Sequence, residues 1–167
     1  MGINHDELDK LRKDSWSYRG PIEGEYELID TITISDGVTK LDVSVEPDGT
    51  PYRFERVFLK LTIKENTPAA EGWSFWDQAG VEIMYHYHGT VSSANVQSGM
   101  QVWKEAGYWT GEVYAWRGLY STYGTTYHAG RDEALKVSTA GSYISRIKAD
   151  ELSNGITVEV WGVRPHA

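Results

Sequence analysis

An all-β fold is predicted for this sequence: an antiparallel β-sandwich of jelly-roll type with a short N-terminal helix. Three observations carry the prediction. Apolar and polar residues alternate along most of the chain after Tyr26, turn signals rich in glycine, aspartate and proline separate these runs, and roughly nine runs of strand length follow one another with almost no helical periodicity. At 167 residues the chain has the length of one domain with a sizeable core.

The first 24 residues are predicted to form a helix and a linker, which leaves residues 25–167 as the β-sandwich domain. Asn4 is placed to cap a helix over residues 4–14, and Glu7, three residues later, completes a capping box. Such a short helix has few apolar anchors, so we expect it to lean on the main body or on another subunit.

The strands are predicted from alternation with a period of two. Residues 26–35 end at an Asp-Gly pair that indicates a hairpin to a second strand, 39–45, and residues 47–51 form the next turn. In the run from Arg53 to Ile63, alternate residues from Val57 onward are expected to face inward and Phe58 outward. Further strands are predicted at 81–90, 100–105, 108–117, 134–138, 143–149 and 156–163.

Composition excludes several classes of function. Sixteen basic and 24 acidic residues give a net charge of -8, which disfavours binding to nucleic acid. The chain has no cysteine, so it forms no disulfide and no thiolate metal site. We also expect no membrane span, because no apolar run is long enough, and no signal peptide, because the N-terminus is polar.

Aromatic residues provide the strongest sequence signal for a binding surface. Eight tyrosines and tryptophans lie between Trp103 and Tyr127, among glycine, serine and threonine rather than aliphatic residues. Alternation assigns Trp109 to the core and the opposite face of the same strand, which includes Glu112, to solvent, and the segment from Tyr120 to Tyr127 is expected to be a loop. The predicted binding residues are Tyr114, Trp116, Tyr120 and Tyr123.

Three interpretations of these rings remain open. The rings form a subunit interface, where they act as rigid anchors; or they form a carbohydrate-binding platform, with Tyr114, Trp116 and Tyr120 stacking on sugar; or they belong to a core that happens to be aromatic.

A pair of histidines provides a weaker signal for chemistry. Gly80, five further residues and then His86-Tyr87-His88 resemble the opening of the first cupin motif, which implies a jelly-roll metalloenzyme. The rest of the motif is missing, since Ser92 stands four residues after His88 where a glutamate is required. Alternation places both histidines on the more polar face, so we expect solvent-facing or interface residues, with no metal and no cofactor. A cupin-like metal-dependent enzyme is the weaker alternative.

Two segments resemble β-sandwich domains in structural proteins of tailed bacteriophages. The first runs from Tyr26 through the Asp48-Gly49-Thr50-Pro51 turn to Ile63, and the second is the closing run Gly155–Arg164, which ends in an aromatic-Gly-Val-Arg tail. The resemblance implies a strand order in which the first and last strands pair centrally and hide the edges of the chain.

The same resemblance implies a virion component without catalytic residues, such as a capsid decoration, a head fibre, or an accessory or adhesion subunit of the tail. Its expected partners are copies of itself, most simply as a trimer, other virion proteins and a cell-surface glycan. It would be made in the host cytoplasm and reside in the virion.

Overall fold

The computed structural model describes residues 25–35, 37–38, 40–63, 72–87, 96–115, 125–128, 136–150 and 156–165. The predicted N-terminal helix lies outside these residues. The described part contains no helix, and therefore no helix that could cross a membrane.

In the described ranges, ten strands form two antiparallel sheets. In chain order they are β1 (Glu27–Thr33), β2 (Lys40–Val43), β3 (Arg56–Ile63), β4 (Gly72–Asp77), β5 (Glu82–Tyr87), β6 (Val96–Glu105), β7 (Tyr108–Ala115), β8 (Thr125–His128), β9 (Ile144–Asp150) and β10 (Ile156–Val163). The six-stranded sheet has the order β1-β10-β3-β6-β7-β8, and the four-stranded sheet has the order β2-β9-β4-β5. The predicted all-β sandwich class is confirmed at this level.

The strand pairing is nested along the chain. β1 pairs with β10 and β2 with β9, while β3 pairs with β6 and β4 with β5. Consecutive strands therefore alternate between the two sheets from β1 to β4, and β4 and β5 then form a hairpin within the four-stranded sheet. The predicted hairpin after residue 35 is wrong, because β1 and β2 lie in different sheets. The turn that includes Gly37, with φ 85°, connects the two layers instead.

The pairing of the first and last strands is observed, but its predicted central position is wrong. β1 runs antiparallel to β10, with Ile32 opposite Val158, and lies at the edge of the six-stranded sheet. The interior position belongs to β10, which pairs with β3 on its other side. Alternation shows that β10 has one buried face, but it contains no information about which strand lies beside it.

One hydrophobic core fills the space between the sheets. The predicted inward residues Val57, Leu59 and Leu61 are fully buried, as is Trp109. Phe58 lies on the opposite face as predicted, yet it is only 6% exposed because Tyr26 packs against it. The core cluster also contains Phe54, Trp73, Phe75, Ile83, Met84, Met100, Val102, Ile144, Ile147, Ile156, Val158 and Val160.

Two strands are absent from the sequence prediction. β4 has the sequence GWSFWD, and its three consecutive residues Trp73, Ser74 and Phe75 are all buried. A strand buried on both faces has no polar alternation to reveal it. β8 falls partly in the segment predicted as a loop and is held by its pairing with β7. Conversely, the predicted strand 134–138 is reduced, in its described residues, to a bridge between Val137 and Tyr108.

The predicted turn at residues 47–51 is observed and precedes the point where the sheets join. Gly49 has φ 90°, and the amide of Thr50 donates to Oδ1 of Asp48 at 2.9 Å. Beyond the turn, Phe54 and Ile144 exchange two backbone hydrogen bonds of 3.2 and 2.7 Å. This bridge links the start of β3 to the start of β9, so it holds the two sheets together at one end.

The close approach of Phe54 to β10 predicts the effect of Gly162→Ala. A Cβ at residue 162 would lie 2.7 Å from Cδ1 of the Phe54 ring, so the ring must move away from the join. We expect the free energy of unfolding, measured by urea denaturation, to fall by about 1–3 kcal/mol. Thr157→Ala, on the opposite face of the same strand, is the control and is expected to cost less than about 1 kcal/mol. Equal losses in the two variants would contradict this packing.

Candidate functional site

The outer face of the six-stranded sheet is the face that carries Phe58, Gln101 and Trp161, turned away from the core. These three residues are direct neighbours across β10, β3 and β6, since Trp161 pairs with Phe58 and Phe58 with Gln101. Glu112 of β7 continues the row next to Gln101, and Leu28 of β1 closes it next to Trp161. Leu28 is 47% exposed, so the row ends in an apolar side chain open to solvent.

Tyr26 closes the centre of this face. Its ring meets Phe58 edge to face, with centroids 6.3 Å apart, and the Arg56 guanidinium lies 5.3 Å from the Tyr26 centroid. The Gln101 amide donates a hydrogen bond to the Tyr26 hydroxyl. Burial raises the pKa of Tyr26 to about 12, with a smaller contribution from Glu25 and partial opposition from Arg56. The tyrosine is therefore a neutral anchor at physiological pH.

Polar contacts arrange the rest of the outer face. The indole nitrogen of Trp161 donates to Oε1 of Glu159 at 3.1 Å, and Lys60 lies 3.8 Å from the other oxygen of the same carboxylate. Trp103 of β6 is half-buried. It lies beside Arg56 of β3 on one side and opposite Thr110 of β7 on the other. Aromatic rings with one satisfied polar edge and one open face are typical of protein–protein contact surfaces.

A groove lies at the end of the sandwich where Phe54 joins the sheets. Its volume is about 430 Å³, and its lining includes Pro51, Tyr52, Arg53, Tyr143 and Arg164. These residues come from three separate segments: the β2–β3 connection, the start of β9 and the end of β10. The groove therefore forms because the strand order brings these three segments together.

The groove residues are held rigidly. Arg164 donates from its terminal nitrogens to Glu46 and from Nε to Glu27 at 3.2 Å, and its guanidinium lies 5.6 Å from the Phe54 centroid. These carboxylates raise the pKa of Arg164, so the side chain stays charged. The Arg53 guanidinium lies 5.3 Å from the Tyr143 ring centroid.

Tyr52 lines the groove and has a buried hydroxyl. Tyr52 is 1% exposed, and its hydroxyl finds no hydrogen-bond partner within the part of the chain that the structure describes. Burial, together with the nearby carboxylates of Asp30 and Glu46, raises the pKa of Tyr52 to about 12. The hydroxyl therefore keeps its proton and remains a donor.

The prediction that His86 faces solvent or an interface is wrong. His86 is fully buried and faces the core, where it meets Phe75 edge to face at 5.8 Å and lies beside Gly111 of β7. Burial lowers its pKa from the usual 6.5 to about 4, with a smaller opposing effect from the Gln101 carbonyl. On β5 the core face carries Met84 and His86, so the alternation was assigned to the wrong side of the sheet.

The weaker alternative of a cupin-like metalloenzyme gains no set of metal ligands in the described ranges. No group of three or more His, Asp or Glu residues that could hold a metal ion is found there, and His88 lies outside them. A single imidazole surrounded by Phe75, Met84 and a glycine is a core residue.

The four predicted binding residues lie at the other end of the sandwich or beyond the described residues. Tyr114 is in β7, and its backbone pairs with Gly99 of β6. Trp116, Tyr120 and Tyr123 fall between β7 and β8, outside the described residues. The strand ends that flank residues 64–71, 88–95, 116–124 and 151–155 lie together, opposite the groove.

The sequence prediction missed the groove and most of the outer face. The run Pro51-Tyr52-Arg53 after the Asp-Gly turn is a local indication of a binding site, because it places rings beside a guanidinium. Tyr143 and Arg164 each stand at a strand end with no such neighbours, so only the strand order shows that they meet.

Comparisons with known proteins add no relative to this description: no family model matches the chain, and no curated protein matches it. The outer face and the groove are two described surfaces whose chemistry suits binding.

The contact between His86 and Gly111 predicts a coupling between two substitutions. A Cβ at residue 111 would lie 2.6 Å from Nε2 of His86 and 2.7 Å from the Gln101 carbonyl oxygen, so Gly111→Ala is expected to cost about 1–3 kcal/mol of stability. In a His86→Ala background the imidazole no longer obstructs the methyl group, and the same change should cost at least about 0.5 kcal/mol less. The free energy of unfolding is measured by urea denaturation. If the losses caused by Gly111→Ala and His86→Ala simply add in the double variant, the contact is contradicted.

Burial of neutral His86 predicts a dependence of stability on pH. The unfolded chain binds a proton at His86 below about pH 6.5 and the folded chain only below about pH 4, so stability falls as the pH drops through this window. The expected loss from this residue is about 3 kcal/mol over the window. His86→Leu should have a flatter curve than the wild type between pH 7.5 and 4.5 in chemical denaturation. Parallel curves would show that His86 does not titrate in this way.

Proposed function

We propose that this chain is a non-enzymatic structural protein of a bacteriophage virion, a jelly-roll domain that acts by assembling with copies of itself and with other virion proteins. Capsid decoration, a head fibre, and an accessory or adhesion subunit of the tail all fit this role. The observation that carries the proposal is the outer face of the six-stranded sheet, where ordered aromatic rings end in an exposed leucine.

The strand order supports the jelly-roll part of the proposal. Nested pairing of β1 with β10, β2 with β9, β3 with β6 and β4 with β5 is the arrangement of two interlocked Greek keys, which is common in viral capsid proteins and lectins. On this interpretation β7 and β8 are an added hairpin that widens one sheet. The resemblance of the segments around Asp48–Pro51 and Gly155–Arg164 to phage domains points in the same direction.

The chemistry of the outer face supports assembly. Tyr26 and Phe58 are already buried and form a rigid centre for this face. Trp161 is half-buried and held by Glu159, so little side-chain entropy is lost when a partner covers its open part. Arg56 and Gln101 add polar groups at the centre, and Leu28 adds open apolar area at the edge. Aromatic anchors with arginine inside a polar rim are the usual composition of an interface centre.

The assembly role predicts an oligomer that depends on Leu28. Wild-type protein at micromolar concentration is expected to be a trimer in light scattering coupled to size exclusion, and Leu28→Glu should shift it toward monomer because the charge must be desolvated on association. Val81→Glu is the matched control, since Val81 is also an aliphatic residue that is 47% exposed, but it lies between β4 and β5 of the four-stranded sheet. A monomeric wild type, or equal effects of the two substitutions, would rule out this face as the interface. Circular dichroism of both variants checks that they remain folded.

A further inference from the structure

We propose that the groove formed by Tyr52, Arg53, Tyr143 and Arg164 binds a neutral sugar residue. This inference rests on the proposed function, because it gives a location to the host-surface binding. The groove lies at the opposite end of the sandwich from Tyr114. Binding at the groove does not require assembly, so it can be measured on the protein in any oligomeric state.

The size and walls of the groove suit a pyranose ring. Its volume, about 430 Å³, is in the range of small-ligand sites. The ring of Tyr143 and the prolines Pro51 and Pro165 supply apolar surface on which the C–H faces of a sugar can pack.

The charge balance favours a neutral ligand over an anion. Arg53 and Arg164 bring two positive charges, but Glu27 and Glu46 both contact Arg164 and offset them. Asp48 lies near Arg164 as well. A phosphate or a carboxylate would therefore meet little net attraction here, in a chain whose total charge is already -8.

The polar groups of the groove match hydroxyls, which both donate and accept hydrogen bonds. Arg53 supplies donors, and its stacking on Tyr143 leaves the edges of the guanidinium free to point at a ligand. Thr50 and Tyr143, which both line the groove, supply hydroxyls.

The site is also arranged in advance of binding. Arg164 is fixed by two carboxylates and the Phe54 ring, and the backbone amide of Tyr143 donates to Oε1 of Gln78 at 2.9 Å. The bridge between Phe54 and Ile144 joins the two walls. Few side chains have to become ordered when a sugar binds, so the entropic cost of binding is low.

The test is saturation-transfer NMR on the full chain with glucose, galactose, mannose and N-acetylglucosamine, and with glucuronic acid as the charged counterpart of glucose. At least one neutral sugar is expected to bind with a dissociation constant on the order of 1 mM. Arg53→Gln and Tyr143→Ala should each weaken that binding about tenfold or more. Tyr108→Ala removes an exposed tyrosine outside the groove and should leave it unchanged.

Three outcomes overturn the proposal: no neutral sugar binds, glucuronic acid binds much more tightly than glucose, or binding survives in Arg53→Gln. Because Arg53 is exposed and its substitution leaves the core intact, the last comparison remains decisive even where Tyr143→Ala disturbs folding. Oligomeric state measured on the same samples separates failure of sugar binding from failure of assembly.

Discussion

The backbone of Phe54 exchanges two hydrogen bonds with Ile144, and its ring is fully buried between β10 and the side chain of Arg164. This contact constrains three parts of the molecule together. It holds β3 of one sheet against β9 of the other, it requires a glycine at residue 162 because a Cβ would collide with the ring, and it places Tyr52 and Arg53 opposite Tyr143. The groove exists because the two sheets are joined at this point.

The same end of the molecule connects the groove to the outer face. Glu27, the first residue of β1, contacts Arg164, while its neighbour Tyr26 packs on Phe58. The entry of the chain into β1 thus lies between the proposed sugar site and the proposed assembly face. A subunit that uses the outer face to assemble would keep its groove next to the interface. An assembled particle would then present several copies of a weak site, which raises the overall affinity for a surface through multivalency.

Local patterns predicted much of the secondary structure, and particular residues show where they were insufficient. Val57, Leu59, Leu61 and Trp109 are buried as alternation predicts, because the period of two assigns a face to every residue of a half-buried strand. The alternation pattern does not predict β4, because both faces of this strand are buried. His86 was assigned to the wrong face because Met84 and Ile83, which are adjacent, are both buried, so alternation on this edge strand does not distinguish core from exterior.

The amino-acid sequence by itself determined the all-β class, most strand positions, the turn at Gly49 and the burial of Trp109, since these depend on residues close together in the chain. Only the tertiary structure decided that β1 lies at an edge, that β1 to β4 alternate between the two sheets, and that Arg53, Tyr143 and Arg164 surround one groove. Those facts depend on which strands become neighbours. Pairing is set by the shared core between the sheets and by contacts such as that of Phe54 with Ile144, whose partners are 90 residues apart in the chain.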